Sequence, residues 1–327
     1  MSINTLVGKF GGFSGTGAGY LGAKIFTSNT SITFPADVGF AVVKLFGGYG
    51  VGPQTPPVPG GPGSYRQGGF TAIKLGANSA GQTYYITNDG TDAPWGTFVT
   101  PGSGGPPYTG NDKLGGGYVS ISTGPMGPGA GPAATRQGTV LGLAGGSGSG
   151  HRQSSTAGGS AGYPLGGNGT DYNPNGQGGL GAGQSPPPSP NGPAGTALAG
   201  ALGTTSPPPN SGAGGGGGHG YVGGSSGGAT PDGGGRGGGG GGGSNYIVSP
   251  GNDNISGIAN STYSHPIGYV PSDPDFSPTH FNPQERAGLG PPTFQYGSGG
   301  YAVIKFFVAE EPDYDSPAFP SSIPTAF

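Results

Sequence analysis

Histidines and closely spaced carboxylates are the residues of this sequence that could do catalytic or metal chemistry, and they are few. Asp273 and Asp275 are two positions apart. A glycosidase, however, needs two carboxyl groups placed across a bound sugar, and nothing nearby indicates such a site. The four histidines do not show the spacing of zinc ligands: His151, His219, His265 and His280. We expect them to be loop or surface residues, and we predict no catalytic residue and no metal.

Glycine-rich motifs give no better signal for bound phosphate or calcium. Matches to GxGxxG arise from composition, and none stands between a clear strand and a clear helix. Residues 166–171 (GGNGTD) match half of a calcium-binding nonapeptide repeat, but the match occurs once, and a turn is the better interpretation. The chain has no Cys, which excludes disulfides and thiolate metal sites. The sequence therefore predicts neither enzyme activity nor a cofactor.

Three similar segments each carry one lysine among apolar residues. The segments are GFAVVKLF with Lys44, GFTAIKL with Lys74 and GYAVIKFF with Lys305. In the first of them, alternation along a β-strand places Phe40, Val42 and Lys44 on one face. No paired acid is visible nearby, so we expect each lysine to be a strand-edge charge that discourages stray pairing. A functional role for these lysines is the less favoured alternative.

Aromatic residues between the glycine tracts are the candidates for molecular recognition, because their faces stack on sugars and because loops carry function. The candidate receptor-binding residues are Tyr163, Tyr172, Tyr221, Tyr246, Tyr263, His265 and Tyr269. Packing of the tyrosines against glycine strands is an equally weighted alternative. The candidate assembly-docking residues of the C-terminal tail are Tyr314, Phe319, Ile323 and Phe327. The alternative for this tail is a terminus that is ordered but has no role.

Glycine dominates the composition, with 82 Gly and 36 Pro in 327 residues. Such compositions usually indicate disorder, but an aromatic content of 10% opposes that interpretation. Residues 163–173 (YPLGGNGTDYN) break the glycine period that collagen needs. For the glycine tracts we infer polyglycine II, in which extended strands with three residues per turn bond sideways to one another.

Charge and hydropathy exclude several classes of function. Only 8% of residues are charged and the net charge is −3, which excludes the basic footprint of a nucleic-acid-binding protein. No apolar run approaches the roughly 20 residues of a membrane span, so no membrane insertion is expected. The N-terminus lacks the charged and apolar regions of a secretion signal. We therefore expect no export by a cleaved signal, and release by cell lysis would fit a role outside the cell.

Short β-branched and aromatic runs predict strands, and helical periodicity is almost absent. The predicted fold is all-β and irregular, with short strands framing a polyglycine II bundle with long Gly/Pro loops. Strands are predicted at 21–26, 31–34, 39–46, 69–75, 83–87, 96–99, 118–121, 139–143, 246–248 and 301–308. The predicted parts are an N-terminal attachment segment (1–30), a strand-rich part (31–123), a polyglycine II part (124–243), an aromatic loop with a closing strand (244–308) and an extended C-terminal tail (309–327).

The order of these pieces resembles the glycine-rich domain of phage tail and tail-fibre proteins. The resemblance covers roughly residues 31–308 and is one of spacing more than of residue identity. It rests on FPADVGFAVVKLFGGYG (34–50), GGFTAIKLGANSAGQTYYITNDG (68–90) and GGYAVIKF (299–306). The glycine tracts also look like those of the distal tail-fibre adhesins of T-even-like phages, although here Pro/Ser insertions interrupt them and an aromatic tail follows.

The resemblance implies a non-enzymatic virion protein, either a tail-fibre or receptor-binding adhesin or a structural component such as a capsid decoration protein or fibre subunit. Its expected partners are other virion proteins and a host surface glycan or outer-membrane protein. We expect an oligomer or an assembly-bound chain, made in the host cytoplasm and located in the virion. An ice-binding protein with a flat polyglycine II face is the third alternative.

Overall fold

Two antiparallel β-sheets form a sandwich, with glycine segments continuing from one end of it. The computed structural model describes residues 19–50, 68–88, 115–125, 140–150, 156–163, 165–171, 177–182, 200, 214–228, 237–248, the backbone of 255–261, 273, 275–277, 280 and 299–308. In these residues the fold is all-β, as predicted. A short 3-10 turn (Ala77–Ser79) is the helical element of the described part. No helix there is long and apolar enough to cross a bilayer.

Each sheet has five strands, and all neighbours within a sheet are antiparallel. The first sheet, in spatial order, contains β1 (Tyr20–Phe26), β10 (Tyr301–Phe307), β3 (Phe40–Phe46), β4 (Phe70–Leu75) and β9 (Ile255–Ser261). The second contains β2 (Thr30–Thr33), β5 (Thr83–Asn88), β6 (Val119–Ser122), β7 (Val140–Ala144) and β8 (Tyr246–Ile247). β9 was not predicted, and the predicted strand at 96–99 lies outside the described residues.

The alternation of side chains along β3 places the predicted apolar set between the two sheets. Ala41, Val43 and Leu45 are fully buried in the main core, which also contains Ile304 of β10 and Ile121 of β6. Lys44 and Phe46 lie on the opposite face of the first sheet, where Phe46 packs in a second aromatic cluster. The predicted division of faces is therefore confirmed, and both faces of β3 are covered.

The three lysines do not lie on edge strands, so the prediction of strand-edge charges is wrong. β3, β4 and β10 are the three interior strands of the first sheet. Lys44 pairs in register with Val303 on one side and Ala72 on the other, and it is 8% exposed. The three segments resemble one another because they are neighbouring strands of one sheet, and their lysines share its outer face.

Candidate functional site

Residues 237–244 form the central segment of an array of hydrogen-bonded glycine-rich segments, called the glycine lattice below, that extends from the sandwich. Their N–H groups bond to three different neighbouring segments over distances of 2.8–3.0 Å, and every third residue donates to the same neighbour. Gly238, Gly241 and Ser244 donate to the carbonyl oxygens of Gly228, Ser225 and Val222. Gly239 and Gly242 donate to Thr170 and Gly167, while Gly240 and Gly243 donate to Ser149 and Gly146. Partner numbers fall by three each time, so these three neighbours run antiparallel to the central segment.

The carbonyl groups of the central segment bond to three further neighbours with the same period. Gly238, Gly241 and Ser244 accept from the N–H groups of Gly215, Gly218 and Tyr221. Gly239 and Gly242 accept from Gly179 and Ala182, while Gly240 and Gly243 accept from Gly159 and Gly162. These partner numbers rise by three, so these neighbours run parallel to the centre. One segment is thus surrounded by six.

The six outer segments also bond to one another and close a ring around the centre. Following the backbone hydrogen bonds, the ring order is 145–149, 156–162, 166–170, 177–182, 222–228 and 215–221, which bonds back to 145–149. The glycine lattice is defined here as these six segments together with 237–244. Residues 166–171, which the sequence predicted as a turn, contain one of these extended segments instead, because Gly166, Gly167, Gly169 and Thr170 donate to lattice partners and Gly167 and Thr170 also accept.

A period of three is the period expected of an extended helix with three residues per turn. Each N–H and C=O points sideways, and successive residues point to directions one third of a turn apart. The polyglycine II assignment itself concerns backbone angles and stays a prediction. The hydrogen bonds of residues 238–244 follow the period of three throughout.

The closeness of the lattice segments explains why the central segment is glycine throughout residues 237–243. A Cβ atom added at Gly241 would lie 2.0 Å from the carbonyl oxygen of Leu180. At Gly240 and Gly243 it would lie 2.0 Å from the carbonyl oxygens of Gly216 and His219. These are backbone atoms held by their own hydrogen bonds, so no side chain fits.

Short polar side chains complete the lattice where a backbone acceptor is missing. The Oγ of Ser149 accepts from Gly216 N–H at 2.7 Å, and the Oγ1 of Thr170 accepts from Ala157 N–H at 2.6 Å. At the junction with the sandwich, Asn245 is 3% exposed, and its Oδ1 accepts from Gly145 N–H at 2.9 Å. Its Nδ2 donates to the carbonyl oxygen of Phe70 at 3.2 Å, which ties the lattice to β4.

Chain direction fixes which end of the lattice adjoins the sandwich. The central segment runs into β8, and the segment 145–149 runs out of β7. At the far end, the chain leaves three antiparallel segments at Gly150, Asp171 and Gly228 and returns at Thr156, Gln177 and Gly237. Three connections, at 151–155, 172–176 and 229–236, therefore begin and end at the far end; these connections themselves lie outside the described residues.

Three of the seven predicted recognition residues lie in the described part. Tyr163 follows the lattice segment 156–162 and is 47% exposed. Tyr221 and Tyr246 stack on each other with ring centroids 3.9 Å apart and planes at 6°. Both are partly buried against Tyr118 and Leu143 on the outer face of the second sheet. Tyr163 thus presents an open aromatic face, whereas the other two pack together.

The remaining predicted recognition and docking residues lie outside the described residues, and their roles stay predictions. They are Tyr172, Tyr263, His265, Tyr269, Tyr314, Phe319, Ile323 and Phe327. The described histidines are His219, which is 5% exposed within the lattice, and His280, whose ring contacts Tyr301 edge-on at 5.2 Å.

A cluster of two lysines and two aspartates lies on the outer face of the first sheet. Lys44 Nζ is 2.9 and 3.0 Å from the two carboxylate oxygens of Asp273, and 2.8 Å from Oδ2 of Asp275. Lys305 Nζ is also 2.8 Å from Oδ2 of Asp275. The side chains of Lys44, Asp273 and Asp275 are only 10–12% exposed. The acid partners that the sequence did not reveal therefore come from 229 residues away.

The segment that carries the two aspartates is fixed to the sheet by further contacts. Asp275 N–H donates to Asp273 Oδ1 at 2.9 Å, and Ser277 N–H donates to the hydroxyl of Tyr301 at 2.8 Å. Phe276 packs on Phe46 with ring centroids 6.1 Å apart. A buried lysine requires an acid partner. Burial of Lys44 could have been inferred from the apolar residues on either side of it, but the identity of its partner could not.

Burial and charge act in opposite directions on the ionisable groups of this cluster. Burial by itself raises the pKa of Asp275, but hydrogen bonds and charge from Lys305 and Lys44 outweigh it and hold that pKa below its ordinary value. Burial raises the pKa of the Tyr301 phenol well above its ordinary value, and Asp273 and Asp275 add to the rise. Asp275 is therefore a carboxylate at neutral pH, and Tyr301 is a neutral phenol.

No protein-family model matches the chain, and no curated protein matches it. Among the described residues, no group of three or more His, Asp and Glu side chains could hold a metal ion.

Proposed function

We propose that this chain is a non-enzymatic phage virion protein, a tail-fibre or receptor-binding adhesin in which a rigid glycine lattice presents loops. The observation that carries the proposal is the arrangement of one glycine segment within a closed ring of six. Backbone hydrogen bonds at every residue from 238 to 244 hold this arrangement without a side-chain core. Such a body is narrow and stiff, as a fibre tip requires.

The position of the chain reversals supports a role in presentation. Three connections begin and end at the lattice end that is far from the sandwich, which is where a particle-bound protein would meet a cell. Loops on a rigid framework tolerate changes in sequence and carry binding function. The binding partner in this proposal is a host surface glycan or an outer-membrane protein. The exposed ring of Tyr163 lies at the sandwich end of the lattice, where Gly162 N–H donates to Gly243, so it is a candidate contact separate from the far-end connections.

The test is competition for adsorption. Purified full-length protein is added to cells of the phage host before infection, and both its binding to the cells and the adsorption of phage are measured. We expect saturable binding and reduced adsorption. A matched control is the Gly241→Val variant, in which the lattice cannot close while the loop sequences are unchanged. If saturating wild-type protein neither binds the cells nor slows adsorption, the adhesin proposal is refuted.

A structural virion component is the second candidate, and the edge of the first sheet favours it. β1 is an edge strand, and it exposes Tyr20, Leu21 and Ile25 by 47%, 42% and 46%. Apolar groups on an open strand edge are typical of surfaces that pair with a neighbour. Imaging the particle with an antibody against the chain distinguishes the candidates. A position on the head lattice or along the fibre shaft would replace the adhesin proposal with the structural one.

A further inference from the structure

The contacts of Lys44 place one amine against two carboxyl groups in a buried site. Its Nζ lies within 3.0 Å of both oxygens of Asp273 and 2.8 Å from Oδ2 of Asp275. When an amine and a carboxyl group condense, one carboxyl group supplies the electrophilic carbon, and a second can accept and return a proton. Lys44, Asp273 and Asp275 supply these three roles within hydrogen-bond distance of one another.

Burial and rigidity favour condensation over simple ion pairing. The three side chains are only 10–12% exposed, and the sheet and the bonded segment around Asp275 hold them in place. Groups held about 3 Å apart react as if at very high effective concentration. Condensation removes one buried positive and one buried negative charge, and with them the cost of keeping both out of water.

We propose that Lys44 and Asp273 form an intramolecular isopeptide bond, with Asp275 as the proton-transfer residue. The bond is a covalent modification of the folded chain. It is independent of the proposed function, since it would form in a fibre tip and in a decoration protein alike.

The reaction balances without any co-reactant. The Lys44 ammonium gives one proton, through the carboxylate of Asp275, to an oxygen of Asp273, and the free amine attacks Cγ of the resulting carboxylic acid. Asp275 then takes a second proton from the nitrogen of the tetrahedral intermediate and passes it to the departing hydroxyl of Asp273, so that the C–O bond breaks and water leaves. One C–N bond has formed and one water has left. Asp275 ends as a carboxylate, as it began.

Lys305 explains why Asp275 is the proton carrier and not the partner in the bond. Its Nζ lies 2.8 Å from the same Oδ2 that contacts Lys44, and its side chain is 24% exposed. After condensation, Asp275 and Lys305 remain as a neutral pair, so no charge is left uncompensated. Asp273 contacts Lys44 through both of its oxygens and is thus the carboxyl group from which an oxygen can leave.

The first measurement is the intact mass of the denatured full-length wild-type chain, compared with that of the Lys44→Arg variant. We expect the wild type to be lighter than its sequence by one water, and the variant to have its full sequence mass. A tryptic digest of the wild type should contain a branched peptide joining Lys44 to Asp273, with no cleavage after Lys44. Full sequence mass in the wild type would overturn the proposal. So would a water loss that maps to an Asp-Gly succinimide, such as Asp232–Gly233.

Two variants test the assigned roles, and thermal unfolding shows that each is folded. Lys305→Arg is the matched control for Lys44→Arg, and it should still lose one water. Asp275→Asn keeps the side-chain volume but cannot accept the proton, so it should have its full mass. A full mass in Lys305→Arg combined with water loss in Lys44→Arg would overturn the choice of lysine. Unchanged water loss in Asp275→Asn would overturn the role of Asp275.

Discussion

Replacement of Gly241 by alanine should destabilise this protein far more than the same replacement at Gly167. At Gly241 an added Cβ would lie 2.0 Å from the carbonyl oxygen and 2.3 Å from the carbonyl carbon of Leu180. At Gly167 the nearest atoms, N and O of Ser160, are 3.3 Å away. Both glycines belong to the lattice, and both donate and accept one backbone hydrogen bond, so they differ mainly in the space around the Cβ position.

The expected loss at Gly241 follows from the contacts that must open. Moving the segment of Leu180 away costs about 1–3 kcal/mol as overpacking. The Gly241 bonds to Ser225 and Gly218, both 2.8 Å long, are then lengthened or lost, and each buried group left unpaired costs about 1–3 kcal/mol. The lower ends of these ranges together give about 3 kcal/mol. At Gly167 a shift of a few tenths of an ångström suffices, and we expect less than about 1 kcal/mol.

Chemical denaturation followed by tyrosine fluorescence and circular dichroism measures both variants. Alanine lowers the entropy of the unfolded chain equally at the two positions, so that effect cancels in the comparison. If the two variants have free energies of unfolding within about 0.5 kcal/mol of each other, the described packing of the central segment is wrong.

Three further results are expected. Asn245→Ala should cost about 2–3 kcal/mol, because it removes two buried hydrogen bonds. Asn168 is exposed and accepts one part-buried hydrogen bond, so Asn168→Ala should cost less than about 1 kcal/mol, and equal losses in denaturation would contradict this. The pKa of Asp275 is lowered in the folded state, so its contribution to stability is complete above the unfolded carboxyl pKa of about 3.9 and is lost as the pH falls through the folded value. The difference in unfolding midpoint between Lys44→Arg and the double variant Lys44→Arg/Asp275→Asn, neither of which can form the isopeptide bond, should therefore shrink below about pH 4, and a constant difference would refute the assignment. Tyr163→Ala should weaken cell binding without a change in the unfolding midpoint, whereas Tyr221→Ala should lower the midpoint because it breaks the stack with Tyr246; the opposite pattern would exclude Tyr163 as a contact residue.

The strands of the sandwich could be predicted from the sequence because local patterning determines them. The alternation in residues 40–46 identified both the strand and its buried face. β9 could not be found in this way, because its sequence, ISGIANS, is mostly small or polar and gives no alternating apolar signal. Its place beside β4 follows from pairing in the folded sheet.

The buried lysine cluster could not be predicted, because its members are far apart in the chain. Lys44 stood among apolar residues with no acid nearby, and edge protection was the simplest physical explanation. Asp273 and Asp275 are a close pair in the sequence, but that spacing suggests sugar chemistry and does not indicate a lysine partner. The pairing of β3 with β10 brings Lys44 and Lys305 together, and the segment between β9 and β10 that carries the aspartates packs on this face of the sheet; no local pattern specifies either contact.

A lattice with a repeat of three and identical residues has a problem of register. If residues 237–243 slid by three positions along their neighbours, every interior N–H and C=O would find an equivalent partner, so the backbone alone does not select one alignment. The unique side chains must do so. Asn245 fixes the sandwich end of the central segment by its hydrogen bonds to Gly145 and Phe70. In the ring, the side chains of Ser149 and Thr170 each accept from one particular N–H group, which sets the alignment of their segments. These few polar residues therefore select one register, and without them the chain could fold into several misaligned lattices of nearly equal energy.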